Sequence, residues 1–205
     1  MNSSTPATAT RLIGLTGGIG CGKSTVGKIL EELGLRRLDT DQVARNVVEP
    51  GSEGLAAVVE AFGSSVLNSD GSLDRGAVGT IIFADGLKRK LLEGLLHPLI
   101  WNEIETFVSD CRREGHHAVI EVPLLFENRR QDKFDSVWVV ATSSELQKAR
   151  LHKRNGWSEQ EIESRIASQM PLDEKVERAD TVIWNIGSPA ALKQTVQEAW
   201  QREIS

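Results

Sequence analysis

The chain has 205 residues, of which 40% are hydrophobic, and a formal net charge of −5. This size allows one sizeable core, so we expect one domain with insertions, and the acidic balance argues against a general nucleic-acid binder, whose surface is basic. Two widely separated cysteines do not make a disulfide framework and no apolar run approaches a membrane span, so we expect a cytoplasmic protein without nucleic-acid or membrane partners.

The chain opens with a Ser/Thr/Ala-rich segment, residues 1–10, which lacks a signal-peptide pattern and is expected to be a disordered lead-in. A strand is predicted over residues 11–16 and an amphipathic helix over residues 26–33. Between them lies a glycine-rich turn with the spacing of a P-loop, whose sequence is Gly17-Gly18-Ile19-Gly20-Cys21-Gly22-Lys23-Ser24-Thr25.

A P-loop binds phosphate with backbone N–H groups, which glycines leave accessible, and with the positive end of the following helix dipole. Lys23 can reach the β- and γ-phosphates, and the Ser24 hydroxyl can ligate Mg²⁺. The alternative is a turn that packs tightly and binds nothing, which the flanking strand and helix disfavour. The sequence therefore predicts a nucleoside triphosphate site, whose residues are Gly17, Gly18, Gly20, Cys21, Gly22, Lys23, Ser24 and Thr25.

A short second strand, residues 35–38, leads into an acidic pair, Asp39 and Asp41. Ligands of open α/β sheets bind beyond the carboxyl ends of the strands, so we expect this pair in the same crevice as the P-loop. A helix is predicted over residues 42–48 and carries Arg45 on the face of Asp41. The two aspartates could instead cap this helix.

Residues 52–114 are predicted to form several helices in succession. A parallel crossover needs only one helix, so the excess indicates an inserted helical subdomain. Such an insertion usually holds the second substrate, and the alternative is a bundle without a binding role. Within it, Asp74 is expected to cap one helix, and Pro98 is expected to begin a longer one.

Three further strands are predicted at residues 118–122, 136–140 and 181–185. The first carries Glu121 at the position of a Walker-B carboxylate, which holds Mg²⁺ directly or through water. Trp184, in the last strand, is expected in the core. Five mostly parallel strands with helical crossovers predict a doubly wound, three-layer α/β/α fold with a five-stranded parallel sheet.

Residues 145–179, between the last two strands, are expected to form a helical hairpin that acts as a lid. A capping box of Ser144 and Gln147 is predicted to begin it. Arginines on such a lid can neutralise the charge that develops on a transferred phosphoryl group. We favour Arg150 and Arg154 for this role, and the alternative is a solvated helix face.

Several segments besides the P-loop carry a more specific pattern: Asp39-Thr40-Asp41 with Arg45, Leu96-His97-Pro98, Val122-Pro123-Leu124-Leu125-Phe126-Glu127, and Gln169-Met170-Pro171 with Glu174-Lys175. Together they resemble the dephospho-CoA kinase family, from about Leu12 to the final helix. The P-loop is shared by many families, whereas the Pro-Leu-Leu-Phe-Glu and Gln-Met-Pro segments are far more specific.

The resemblance implies an ATP-dependent kinase that phosphorylates the ribose 3′-hydroxyl of dephospho-CoA, the last step of coenzyme A biosynthesis, with ATP and Mg²⁺. It implies a P-loop core of residues 11–45, 116–144 and 180–205. A helical CoA-substrate subdomain is implied at residues 46–115 and a lid at residues 145–179.

Carried over by position, Asp41 is expected to orient the acceptor hydroxyl and accept its proton. The acceptor-site residues implied are Asp39, Asp41, Arg45, His97, Glu121, Pro123 and Leu124. Two positions depart from the usual pattern: Thr40 replaces an alanine, and Glu121 replaces an aspartate. The longer Glu121 leaves metal, water and an acceptor-site arginine open as its partners.

Two other functions are compatible with the residues alone. One is a P-loop kinase for a nucleoside, sugar or shikimate-like acceptor. The other is a nucleotide-binding switch that transfers no phosphate, which is disfavoured because the chain has no guanine-specifying Asn-Lys-x-Asp run. We expect small-molecule partners, ATP and dephospho-CoA, and a monomer or weak homo-oligomer.

Overall fold

The computed structural model describes residues 10–205, so the expected lead-in lies outside the described residues except for its last position. A single five-stranded sheet is present, in the order β2-β3-β1-β4-β5, and every neighbouring pair is parallel. The predicted α/β fold is confirmed. The strands are β1 (Leu12–Gly17), β2 (Arg36–Asp39), β3 (Ala118–Glu121), β4 (Ser136–Ala141) and β5 (Thr181–Trp184).

The central strands of the sheet are buried along their whole length, as expected of parallel strands covered on both faces. β1 lies between β3 and β4, with Leu15 opposite both Glu121 and Trp138. β5 lies at the edge, and Trp184 is 48% exposed. The expectation that Trp184 lies in the core is therefore wrong, because successive side chains of a strand lie on opposite faces, and Ile183, at 1% exposure, occupies the covered face.

Helices pack on the sheet around one apolar cluster, which includes Ile13, Leu15, Val26, Leu30, Trp138, Ile183 and Val196. The helices that follow or precede the strands are α1 (Lys23–Glu32), α6 (Ser144–Asn155), α7 (Glu159–Ala167), α8 (Leu172–Glu177) and α9 (Pro189–Glu203). Ser188 caps α9 by accepting the Ala191 N–H, and Pro189 stands at the first helical position, which needs no donor. None of the helices in residues 10–205 is long and apolar enough to cross a membrane.

The chain divides into two compact units, one of residues 10–39 and 108–205 and the other of Thr40–Phe107. The second unit contains α2 (Thr40–Asn46), α3 (Glu53–Phe62), α4 (Arg75–Ala84) and most of α5 (Gly86–Glu114). Its own core is formed by four buried valines, Val48, Val58, Val66 and Val78. Asp74 caps α4 as predicted, accepting the Ala77 N–H at 2.9 Å.

Pro98 does not begin a helix. It lies inside α5, which runs without interruption through 29 residues from Gly86 to Glu114. Proline has a helical φ angle, but it lacks the N–H of an interior position and its ring crowds the carbonyl four residues earlier, so it destabilises this turn without ending the helix. Apolar residues at helical spacing on both sides, such as Leu95 and Leu99, favour continuation.

The start of α6 also differs from the prediction. Its cap is Ser143, whose hydroxyl accepts the Leu146 N–H, and not Ser144. Gln147 takes no part in a capping box, because its side-chain amide donates to the carbonyl of Ile19 at 2.7 Å. Two adjacent serines make the cap position ambiguous in the sequence. The sequence also does not indicate that Gln147 contacts the distant Ile19.

Candidate active site

The P-loop connects β1 to α1. β1 ends at Gly17 and α1 begins at Lys23. Gly22 adopts a φ of 97°, and a Cβ at this position would overlap the side-chain amide of Asn185, so only glycine fits. The loop is closed further by the Cys21 N–H, which donates to the Gly18 carbonyl at 3.1 Å. The glycine at the start of α1 is thus required by the close approach of Asn185.

The rear of the loop is held by side chains from two other strands' ends. The amide Nδ2 of Asn185 donates to the Cys21 carbonyl at 2.9 Å. The backbone carbonyl of Asn185 in turn accepts from Thr142 Oγ1 at 2.9 Å and from Arg150 Nη2 at 3.0 Å. Burial raises the pKa of the Cys21 thiol, so Cys21 is a neutral packing residue here. Arg150 therefore lies directly behind the phosphate loop.

The front of the loop meets the carboxylate of Glu121, which is fully buried at the end of β3. Its Oε2 lies 2.8 Å from Lys23 Nζ and accepts from Ser24 Oγ at 3.2 Å. Its Oε1 accepts from Arg37 Nε at 2.6 Å. Such charge-assisted partners compensate the cost of burying a carboxylate. Of the sequence-predicted residues, the structure thus brings Lys23, Ser24 and Glu121 together.

Two glutamines hold the backbone of Ile19 inside the P-loop. Gln169, between α7 and α8, accepts the Ile19 N–H at 2.9 Å through Oε1. Gln147 on α6 donates to the Ile19 carbonyl at 2.7 Å through Nε2. The Gln-Met-Pro segment, which the sequence indicated only by its family pattern, therefore contacts the phosphate loop directly.

The segment after β3 is joined to α8 by a second ion pair, whose lysine is buried and whose glutamate is partly buried. Lys175 Nζ lies 2.8 Å from Glu127 Oε1 and donates to the Pro123 carbonyl at 3.3 Å. The same Glu127 oxygen accepts the Met170 N–H at 2.9 Å. Burial opposes ionisation of Glu127, but the hydrogen bonds from Lys175 and Met170 outweigh it, so the pKa of Glu127 lies below its ordinary value. Leu124, predicted at the acceptor site, is 40% exposed.

Asp39 ends β2 and stands opposite Glu121 in the sheet register. Its Oδ2 is 3.9 Å from Arg37 Nη2. Asp41 and Arg45 lie in the second unit, in the first and last turns of α2, and both are exposed.

His97 belongs to α5, also in the second unit, and is exposed as well. The predicted acceptor-site residues therefore form two groups, one on the sheet and one on the helices of the second unit.

The remaining arginines of the predicted lid lie on its surface. Arg154 is exposed, and its Nε donates to Asn155 Oδ1 at 2.9 Å. Arg165 stacks its guanidinium over the ring of Trp157, 3.9 Å from the centroid, which is a cation–π contact. Of the two arginines that the sequence favoured, Arg150 and Arg154, Arg154 is thus the exposed one.

Sequence reasoning did not identify Arg37, Asn185 or Gln147 as site residues. Arg37 carries a usable signal, because it stands two residues before Asp39 in a strand and so on the same face. Asn185 also does, since it follows β5 at the carboxyl edge of the sheet, where ligands bind. Gln147 carries none, because its partner lies 128 residues away.

A divalent ion would find oxygen donors at one point of this site. Within residues 10–205 no cluster of three His, Cys, Asp or Glu side chains suits a metal. The Ser24 hydroxyl and Glu121 Oε2, however, lie 3.2 Å apart at the loop. Hydroxyl and carboxylate oxygens are suitable partners for Mg²⁺, which keeps several waters when bound. The residues present therefore fit a hydrated magnesium ion bound together with phosphate.

The chain is similar to known proteins along almost its whole length. A model of the family described as dephospho-CoA kinase matches residues 11–190. A protein named dephospho-CoA kinase from Geobacter sulfurreducens is 45% identical over 194 residues, which cover 94% of this chain and 98% of the relative.

Two solved structures agree with this similarity. TT1252 from Thermus thermophilus has a TM-score of 0.84 at 31% identity, and the match covers 96% of this chain and 98% of that one. A dephospho-CoA kinase from Campylobacter jejuni has a TM-score of 0.72 at 28% identity, with coverage of 94% and 96%. The structural similarity thus covers almost the whole chain.

Proposed function

The chain belongs to the dephospho-CoA kinase family, and we propose that Lys23, Ser24 and Glu121 form the phosphate-binding side of its active site. The protein is a transferase that phosphorylates the ribose 3′-hydroxyl of dephospho-CoA at the expense of ATP, the final step of coenzyme A biosynthesis. The relatives give no support to a sugar-like or nucleoside acceptor. The site therefore needs a donor side for ATP and an acceptor side for dephospho-CoA.

One observation carries the assignment of the donor side. Lys23 and Ser24, at the start of α1, converge on one buried oxygen of Glu121 at the carboxyl ends of β1 and β3. Backbone N–H groups of the loop and the α1 N-terminus would surround the phosphates. Lys23 would then stabilise the negative charge on the β- and γ-phosphates as a point charge. The eight loop residues from Gly17 to Thr25 predicted to bind phosphate, Ile19 excepted, keep that role in the proposal.

We propose Ser24 as the direct protein ligand of Mg²⁺, with Glu121 acting through a bound water. Glu121 already interacts with Lys23 and Arg37, so its charge is balanced without the metal. When bound, the metal would supply neutralisation of the phosphate charge. Ser24 and Glu121 would hold it beside the loop.

The acceptor side is assigned to the two aspartates and the second unit. Asp41, in the first turn of α2, would orient the 3′-hydroxyl and accept its proton as the hydroxyl oxygen bonds to the γ-phosphorus, while the bond from that phosphorus to the bridging oxygen breaks and ADP leaves. Arg45, one turn further along α2, offers a cation for an acceptor phosphate. Asp39 and the exposed His97 and Leu124 complete the proposed acceptor site, with Pro123 shaping the chain after β3.

Arg150 and Arg154 are proposed to stabilise the phosphoryl group during transfer. Arg150 is anchored behind the loop through the Asn185 carbonyl, so its charge acts on the P-loop from a fixed position. Arg154 lies exposed one turn further along α6 and is free of a carboxylate within the described ion pairs. In related systems an arginine in this role contributes roughly 10³–10⁵ in rate.

The proposal is tested by incubating the purified protein with Mg-ATP and dephospho-CoA and following coenzyme A. A K23A variant is expected to lose nearly all activity, because the phosphates lose their point charge. K28A, an exposed lysine one turn later on α1, is the matched control and should retain wild-type turnover. A wild-type protein that forms no coenzyme A beside an active positive control refutes the proposed function.

A further inference from the structure

The carboxylate closest to Arg37 belongs to the proposed phosphate site, although Arg37 lies on β2 and outside the P-loop. Its Nε lies 2.6 Å from Glu121 Oε1, whereas its distances to Glu31 and Asp39 are both 3.9 Å. The side chain is only 18% exposed. Glu121 is therefore the principal partner of this guanidinium.

The two oxygens of Glu121 are divided between the two sides of the site. Oε1 faces Arg37, and Oε2 faces Lys23 and Ser24. In this state the Lys23 ammonium is engaged by a carboxylate at 2.8 Å. Phosphate binding requires Lys23 to turn its charge toward the nucleotide, so Glu121 and ATP compete for the same cation.

The outcome of that competition depends on how far other cations balance the negative charge of Glu121. A buried carboxylate left with one cation holds it tightly, because separation would leave an uncompensated charge. A second cation at Oε1 balances the carboxylate and weakens its hold on the first. We propose that Arg37 is a positioning residue that secures Glu121 from the far side, so that Lys23 can transfer from Glu121 to ATP.

The helix beside the pair is shaped to admit it. Gly27 lies buried inside α1, where glycine is otherwise disfavoured. A Cβ on Gly27 would overlap Glu121 Oε1 and lie 2.9 Å from Arg37 Nε. The space for the Arg37–Glu121 contact therefore exists because this helix position has no side chain.

This inference rests on the proposed ATP site, and it is tested on the folded protein by ATP binding, without turnover. Calorimetric titrations with ATP in EDTA and with Mg-ATP compare wild type, R37M, E121Q and R37M/E121Q. In R37M the dissociation constant for ATP is expected to rise about tenfold, because Glu121 has then lost the guanidinium at Oε1 and holds Lys23 more tightly. In the E121Q background the same change is expected to alter it by less than about twofold, since no carboxylate remains to compete.

A kinetic measurement separates this role from a general structural one. R37M should raise the KM for ATP and leave the KM for dephospho-CoA near its wild-type value. R37K, which keeps the charge without the planar fork, should give a rise of about threefold. E31Q removes a looser, exposed partner of Arg37 and should behave as wild type.

Equal losses from R37M in both backgrounds overturn the inference, as does a matching rise in both KM values. If R37M does not fold, R37K and R37K/E121Q make the same comparison. A wild-type protein that binds ATP but forms no coenzyme A refutes the kinase assignment alone, because the binding cycle remains measurable.

Discussion

The Nζ atom of Lys175 lies 2.8 Å from Oε1 of Glu127, and the lysine side chain is completely buried. The glutamate also accepts the Met170 N–H, and the lysine also donates to the Pro123 carbonyl. These contacts tie α8 to the segment that follows β3. They explain why a lysine and a glutamate 48 positions apart (175 − 127) belong to one structural feature.

Replacing Lys175 with methionine is expected to lower the free energy of unfolding by about 3 kcal/mol, because Glu127 loses its buried counter-charge. The matched control is K193M, which breaks the exposed Lys193–Glu32 pair at 2.7 Å. That control should cost at most about 1 kcal/mol. Urea denaturation followed by circular dichroism measures both, and equal losses would contradict the assignment of a structural role to the buried pair.

The same pair predicts a dependence of stability on pH. The pKa of Glu127 is lowered in the folded protein from an ordinary value of 4.5. The unfolded chain therefore takes up the proton first, so the stabilisation is present above that value and is lost as the pH falls through the folded pKa. E127Q should flatten the acid limb of a plot of unfolding free energy against pH. An acid limb as steep as that of wild type would refute this.

Gly27 offers a third prediction, in which two substitutions of the same kind have opposite effects. Alanine for glycine inside an open helix stabilises by about 0.5–1 kcal/mol. G79A in α4, where a Cβ meets nothing within 4 Å, should show this gain. G27A should instead lower the melting temperature and weaken ATP binding, because its Cβ would overlap Glu121 Oε1. Thermal melts with and without ATP test both variants.

The proposed base role of Asp41 is tested by D41N. The amide can still accept a hydrogen bond but cannot take the proton, so kcat is expected to fall by about 10²–10⁴. The dissociation constant for ATP should stay within about twofold. D110N, at a half-exposed position paired with Arg113 on α5, is the control and should retain kcat. Near-normal turnover by D41N removes Asp41 from the base role.

The parts that could be predicted from sequence are those with local causes. The P-loop is specified by glycines and by the strand and helix on either side, all within residues 11–33. Glu121 could be predicted beside it because parallel strands place their carboxyl ends at one edge of the sheet. The meeting of Lys23, Ser24 and Glu121 therefore results from local pattern plus one rule of topology.

The parts that escaped prediction depend on distant partners. Trp184 lies in an apolar strand segment, but it is on the face opposite to the buried Ile183, and the sequence does not show which face of β5 is covered. The local sequence at Pro98 predicts a helix start, yet apolar residues on both sides favour a continuous α5. The strand position of Arg37 places it on the face of Asp39, but its contact with Glu121, which lies 84 residues further along the chain, has no signal in the sequence.

The hydrogen bonds of Gln147 and Gln169 to the backbone of Ile19 bear on the thermodynamics of ligand binding. Both the N–H and the carbonyl of this residue have side-chain partners before a nucleotide arrives. The conformational entropy of this stretch of loop is therefore lost during folding and not during binding. ATP meets a surface whose shape is already present, and less of its binding free energy is diverted into ordering the protein.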